Sequence, residues 1–294
     1  MDSNMVRRVA FAAVAIPLAL GIVWLGGWAL ALTVSLVSAL GTREFYDLAL
    51  KQGIDAARRV GIVTAALCGP FALLASPRGP LAGVASIDVL ISWWPYLGAL
   101  WILGLLVWAL ARRAPTERPL EAVAVTTFGV LYAGALPAFL VAIRHAVFGG
   151  QSWAGTWLVF FPMVVIWVCD SAAMSGGRAI GGAKLAPTIS PGKTRSGSTV
   201  GVIGGLFVAP IFAYLVFPRA GVSANVASLL VIAALISVLG QLGDLAESLF
   251  KREVGVKDSS TIIPGHGGVL DRFDSLYFAL PIAAFCYTFF EIPG

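Results

Sequence analysis

Runs of roughly 20 apolar residues, separated by short charged connectors, constrain this chain more than any other feature. Backbone that enters hydrocarbon must satisfy its own N–H and C=O groups, which leaves helices or a closed barrel. The runs are continuous and do not alternate, so helices are expected. Of 294 residues, 59% are hydrophobic and 12% charged. A water-soluble domain carries about 25% charged residues, so this chain could not cover a globular surface in water. The expected fold is all-α, a polytopic membrane helix bundle.

Spans are predicted near residues 60–75, 91–111, 121–143, 156–175, 199–217, 224–243 and 273–290. Residues 9–41 are too long for one straight span and are broken by Pro17 and Gly26-Gly27, so they read as a hairpin of two short helices, with a single tilted span as the alternative. The apolar start reads as a retained segment and not a cleaved leader, because apolar sequence continues to Leu40. Nine spans with the N-terminus inside place every Lys and Arg on the cytoplasmic side except Arg78, Arg144 and Arg219. That asymmetry follows the positive-inside rule and favours this orientation, while the compact length without an organellar targeting segment suggests a bacterial-type cytoplasmic membrane.

Because the net charge of +5 sits at span ends, it speaks for orientation and not for a nucleic-acid partner. Cys68, Cys169 and Cys286 lie singly in apolar runs and read as packing residues. His145 reads as interfacial, and Trp93 and Trp94 as interface anchors. The chain divides into residues 1–155, a scaffold of about five spans with lipid and oligomer contacts, and residues 156–294, a catalytic part. Two polar loops of that part, 176–198 and 244–270, open to the cytoplasm.

Charge in this apolar chain concentrates between Gln241 and Asp274. If the preceding helix continues to Arg252, then Asp244, Glu247, Ser248 and Lys251 share one stripe at i, i+3, i+4 and i+7. The following Pro264-Gly265-His266-Gly267-Gly268 can bring backbone N–H groups close to an anion. Asp271, Arg272 and Asp274 then set carboxylates suited to a hard cation beside a guanidinium suited to phosphate. Carboxylates, a metal ion and basic clamps are the parts that phosphoryl or nucleotidyl transfer needs.

A second constellation runs from Asp170 to Gly205. Asp170 ends an apolar run, where an acid is a functional residue by default. Lys184, Lys193 and Arg195 lie among glycines in a loop of the kind that wraps phosphates. Ser190-Pro191-Gly192-Lys193-Thr194 invites comparison with a Walker loop but fails it, since Pro187 stands where the first glycine belongs.

The stretch SLFKREVGVKDSSTIIPGHGGVLDRFD, from Ser248 to Asp274, resembles the signature of the phosphatidate cytidylyltransferase family, also called CDP-diacylglycerol synthases. The upstream region resembles that family's other motif at Asp170, Gly177, Arg178, Lys184, Ser190, Pro191, Lys193, Thr194 and Gly197. Ser196 stands where members commonly have Glu. The resemblance covers about residues 166–276 and implies attack of a phosphatidate phosphate on CTP, giving CDP-diacylglycerol and pyrophosphate. It implies Mg²⁺, with room for a second monovalent or divalent cation, held by Asp244 and Asp271 and more weakly by Asp170 and Asp274.

The same match puts Lys193, Lys251, Arg252, Lys257 and Arg272 on phosphates. It adds Arg178, Lys184, Ser190, Thr194, Gly265, Gly267 and Gly268 as substrate contacts, and His266 as a phosphate donor, an acid/base or a loop-ordering group. CTP, phosphatidate and membrane lipids are the implied partners, and a homodimer the implied assembly. Two rival readings stay open: a CTP-dependent lipid kinase of the polyprenol or phytol type, and an ion transporter.

Overall fold

The computed structural model describes residues 15–81, 85–263 and 267–292. Ten helices follow in order: α1 (Ala15–Leu25), α2 (Gly27–Lys51), α3 (Arg58–Leu74), α4 (Ala85–Arg112), α5 (Pro119–Gly129), α6 (Leu136–His145), α7 (Trp153–Ile180), α8 (Arg195–Ile211), α9 (Val226–Glu253) and α10 (Leu270–Phe289). Between α7 and α8 lies one antiparallel hairpin, β1 (Lys184–Ala186) against β2 (Ser190–Thr194), the departure from an all-α fold. Among the described residues, five helical segments are long and apolar enough to cross a membrane: Ser92–Arg112, Pro115–His145, Trp153–Ile180, Arg195–Val216 and Val226–Glu253.

The break between α1 and α2 falls at Gly26, whose φ of 61° is open to glycine and strained for other residues. The chain from residue 9 to residue 14 lies outside the described residues. Contrary to the expected connector after Gly41, α2 runs on to Lys51. Three of its hydroxyls explain why. Ser38, Thr42 and Tyr46 donate to the carbonyls of Gly134, Gly129 and Thr126 at 3.2, 3.4 and 2.8 Å. Those acceptors lie in and beside a π-helical segment, Val130–Ala135, just before Pro137, which supplies no N–H to the helix ladder.

The expected polar loops are also shorter than predicted. α7 reaches Ile180 and α8 begins at Arg195, so of 176–198 only the hairpin and its flanks lie outside helices. α9 continues through Asp244 to Glu253, because residues 244–253 contain neither Gly nor Pro and are rich in helix formers. It stops at Gly255, whose φ of 69° lets Val256 N–H reach back to the Lys251 carbonyl at 2.9 Å.

Small residues set the packing of the catalytic half. Gly197, Gly201 and Gly205 recur every fourth residue along α8, the spacing that lets helix backbones approach in a membrane. A Cβ at Gly197 would lie 2.6 Å from the Ala173 carbonyl oxygen, and one at Gly201 2.9 Å from that of Cys169. Gly205 meets Ser237 of α9 just as closely. α7, α8 and α9 are thereby drawn together, and with them Asp170, the hairpin and Asp244.

His145 is buried within the protein. Its Nε2 accepts the Gly27 N–H at 2.9 Å at the start of α2. Its neighbour Arg144, also fully buried, donates to the carbonyls of Val23, Trp24, Phe148 and Gly150. These two residues thus close the ends of α1 and α2, where helix termini leave backbone groups unpaired.

Candidate active site

Two polar cavities meet at a wall made by Asp170 of α7 and Asp244 of α9. The larger, about 640 Å³, lies beneath the hairpin and is lined by Arg178, Lys184, Lys193 and Thr194. The smaller, about 460 Å³, is lined by Lys251, Arg252, Lys257, Asp271, Arg272 and Asp274. The two motifs, far apart in sequence, therefore form one site with a shared acidic partition.

The hairpin is held by local chemistry. Lys184 pairs with Thr194 and Ala186 with Ser190 across the two strands. Thr194 Oγ1 accepts the Gly197 N–H at 3.1 Å and so caps α8. Ser196, the residue that departs from the family pattern, donates to the Gly181 carbonyl just past α7 and lies 3.1 Å from Thr194 Oγ1. Ser190 opens β2 and lines neither cavity. Lys193 Nζ reaches Asp244 Oδ2 at 2.5 Å, an ion pair that ties the hairpin to α9.

On α9 the expected stripe forms and then divides. Asp244 faces both cavities, with Ser248 Oγ 3.3 Å from its Oδ1. Glu247 is fully buried, and its Oε2 accepts from Lys251 Nζ at 3.0 Å. Lys251 also donates to Asp271 Oδ1 at 2.6 Å, so one ammonium bridges two buried acids. Arg252 donates to the carbonyls of Ile189 and Val256, tying the hairpin turn to the end of α9.

Asp271 lines the smaller cavity with Asp244 and Asp274, and both of its oxygens carry hydrogen bonds. Its Oδ2 accepts from Ser259 N, Ser259 Oγ and Gly268 N, each at 2.8 Å, while Oδ1 accepts from Lys251. Burial favours the neutral acid, yet the hydrogen bonds from Lys251, Gly268 and Ser259 outweigh it and hold the carboxyl below its ordinary range. Oδ2 thus orders the loop, and Oδ1 holds Lys251 of α9. Gly267, with φ 80°, turns that loop, and its carbonyl accepts the Ile263 N–H. Gly265 and His266 lie outside the described residues.

Hard oxygen donors remain at the partition. Asp244 lies close enough to Asp170 and Asp274 for their like charges to repel, an arrangement that a cation would relieve. Among the described residues no cluster of three or more His, Cys, Asp and Glu has the geometry of a complete metal cage. Mg²⁺ needs no such cage, because it keeps several waters and binds through one or two carboxylates plus substrate phosphates. The partition fits that donor set.

Around it stand cations with no carboxylate partner among the described residues: Arg178 and Lys184 on one side, Lys257 and Arg272 on the other. Unpaired cations lining a cavity are suited to polyanionic ligands. Glu44 is the site-supporting residue absent from the sequence reading. This fully buried acid of α2 reaches the Ser259–Leu270 loop. The sequence offered no clear signal, since Glu44 stands beside Arg43 and Asp47 in a stretch that reads as a charged connector.

The sequence profile of the cytidylyltransferase family matches residues 6–290. The chain is 32% identical to a phosphatidate cytidylyltransferase of Synechocystis over 298 aligned residues, 94% of each chain. It is 44% identical over 139 residues to one from Haemophilus influenzae, spanning 47% of that protein and 46% of this one. Against one from Bacillus subtilis it is 39% identical over 171 residues, 60% of that protein's length and 58% of this chain. Matched along nearly its whole length, and carrying both motifs on one acidic partition, the chain belongs to the cytidylyltransferase family.

Proposed function

We propose that this chain transfers the cytidylyl group of CTP to phosphatidate, forming CDP-diacylglycerol and releasing pyrophosphate. The observation that carries the reading is the pair of cation-lined cavities sharing the Asp170–Asp244 wall. Two polyanionic substrates must meet at such a boundary, and both cavities offer charge to receive them.

In the reaction a phosphatidate oxygen bonds to the α-phosphorus of CTP, and the bond from that phosphorus to the bridging oxygen breaks. The nucleophile is already an anionic oxygen, so no strong general base is required. The protein's task is to bring repelling anions into line and stabilise charge on the transferred group and the departing pyrophosphate. Arg178, Lys184 and Lys193 serve one cavity, and Lys257 and Arg272 the other. Lys251 is held by Glu247 and Asp271, so it lends positive charge from a fixed place. Asp244 and Asp271, and more weakly Asp170 or Asp274, would hold Mg²⁺, which when bound neutralises phosphate charge. Asp271 fixes Lys251 and the loop.

We read the membrane topology as nine spans with the N-terminus cytoplasmic. The placement of Lys and Arg supports it. It sets the site at the cytoplasmic face of a bacterial cytoplasmic membrane, within reach of CTP and open sideways to a lipid substrate. Residues 1–155 serve as scaffold and residues 156–294 carry the chemistry.

Purified protein given CTP, phosphatidate and Mg²⁺ should release one pyrophosphate for each CTP consumed. Release of CDP would identify a lipid kinase instead, and ion movement without CTP consumption a transporter.

A further inference from the structure

Glu44 lies in the scaffold half, more than 200 residues from the motif it touches, yet its carboxylate is filled by that motif. Oε1 accepts from Ser260 Oγ at 2.6 Å and from Val269 N at 3.0 Å. Oε2 accepts from Leu270 N at 2.8 Å and shares with Asp271 the single proton of Ser259 Oγ, 3.0 Å away. Two of the four donors are backbone N–H groups at the start of α10, which no helix can satisfy from within. Negative charge at a helix N-terminus is also favoured by the helix dipole. Glu44 is thus the N-terminal cap of α10, delivered from α2.

Three further observations make this a built arrangement. Glu44 is fully buried, and Phe45 beside it packs against Phe128, Tyr132 and Phe250 with ring centroids 5.5, 6.1 and 6.0 Å away. Gly268 leaves the space the carboxylate uses, since a Cβ there would collide with both Ser259 Oγ and Glu44 Oε2. Ser259 Oγ lies between Glu44 and Asp271, so the cap and the acid that fixes Lys251 share one hydroxyl. The chain of contacts runs from Glu44 through the Ser259–Leu270 backbone to Asp271, Lys251 and the smaller cavity.

We infer that Glu44 is a positioning residue for the transfer reaction: it sets the backbone at Ser259 and Gly268–Leu270, and through it the geometry of Asp271, Lys251 and Arg272. It touches no substrate. The inference rests on the proposed CTP and phosphatidate reaction, but the packing relationship on which it stands can be read without turnover.

The test compares wild type with Glu44→Gln, Glu44→Asp, Ser260→Ala and the Glu44→Gln/Ser260→Ala double variant, all as full chains in detergent. Gln keeps the size but offers an N–H₂ group where the loop presents N–H donors. Misplaced reacting groups lower turnover steeply, so Glu44→Gln should reduce kcat at least about tenfold, with KM for CTP within about threefold. Glu44→Asp, which keeps the charge, should regain part of the loss. Ser260→Ala should lower kcat about threefold alone and less in the Gln background, as expected for groups in contact.

Amide exchange should accelerate in residues 257–271 and stay unchanged in α7. Unaltered kcat in Glu44→Gln, a loss no larger than the fall in folded protein, or additive effects with Ser260→Ala would overturn the inference. A wild-type protein that consumes no CTP would instead defeat the proposed function, and the exchange result alone would then decide the role of Glu44.

Discussion

Lys193 Nζ and Asp244 Oδ2 stand 2.5 Å apart, joining the hairpin to α9 at the wall between the two cavities. The pair is half-open to solvent, so its contribution to stability is small, about 0–1 kcal/mol. Its value lies in placement. The two groups neutralise each other here, and in the proposed reaction the ammonium would serve phosphate and the carboxylate a cation. Replacing Lys193 by Ala should therefore leave folding intact and reduce turnover about a hundredfold, as loss of one fixed charge donor does. Arginine, a wider planar group, should restore little of it. Steady-state kinetics beside thermal unfolding of the same preparations checks both halves.

Asp244→Asn and Asp271→Asn should separate into two kinds of defect. Asp244 faces the cavities with Lys193 and Ser248 as its partners among the described residues, so Asn there should lower turnover at least about a hundredfold through the lost cation anchor while melting like wild type. Asp271 satisfies four donations, including one from buried Lys251. Its replacement breaks a buried pair and should lower stability by about 3 kcal/mol, the lower end of that range because Glu247 still holds Lys251. Equal melting temperatures for the two variants would contradict this division.

Acid should act on the loop through Asp271. Hydrogen bonds hold its folded carboxyl below the ordinary value, which is about 3.9 in an unfolded chain. A depressed pKa contributes stability that is complete above the unfolded value and lost as pH falls through the folded one. Protection of the 257–271 amides should thus be level above about pH 5 and weaken progressively below about pH 4. Asp271→Asn should remove that acid-side change. A loss appearing only above neutral pH would contradict the assignment.

Gly268→Ala tests how tightly the loop is packed. A Cβ would enter the space between Ser259 Oγ and Glu44 Oε2, and one of those buried groups must move. The expected result is inserted protein with turnover lowered at least about tenfold, since a shift of about 1 Å at supporting groups is enough for a larger loss. Wild-type activity would show that the loop yields without consequence.

Much of this site was legible because its chemistry is written in unusual letters. An acid at the end of an apolar run, basic residues among glycines and a dense charged segment stand out against a chain that is 12% charged. The i, i+3, i+4, i+7 spacing put Asp244, Glu247, Ser248 and Lys251 on one stripe before any coordinates. What spacing could not show was which oxygens would be free. Asp244 and Asp271 look alike in sequence, and only the folded loop shows that Asp271 also accepts from Lys251, Ser259 and Gly268.

α3, α4, α6 and α10 end within a turn of the expected positions, whereas α2, α7 and α9 run past ends expected at or beside Gly41, Gly176 and Gly243. α2 and α9 run past their expected ends because hydroxyls and charged side chains on a helix are satisfied by neighbouring helices. The hairpin was invisible because Ser-Pro-Gly-Lys-Thr carries no strand pattern. Glu44 fell, beside Arg43, in the stretch expected to be a connector, and its partners at Ser259, Ser260, Val269 and Leu270 are joined to it only by tertiary packing.

The most direct measurement follows CTP labelled at the α-phosphorus, incubated with phosphatidate and Mg²⁺ in mixed micelles. The account predicts that wild-type protein carries the label into the lipid phase with one pyrophosphate released per label transferred, and that folded Asp244→Asn does so at least about a hundredfold more slowly. Label that stays in the aqueous phase, or a γ-phosphorus label appearing in lipid, would contradict it.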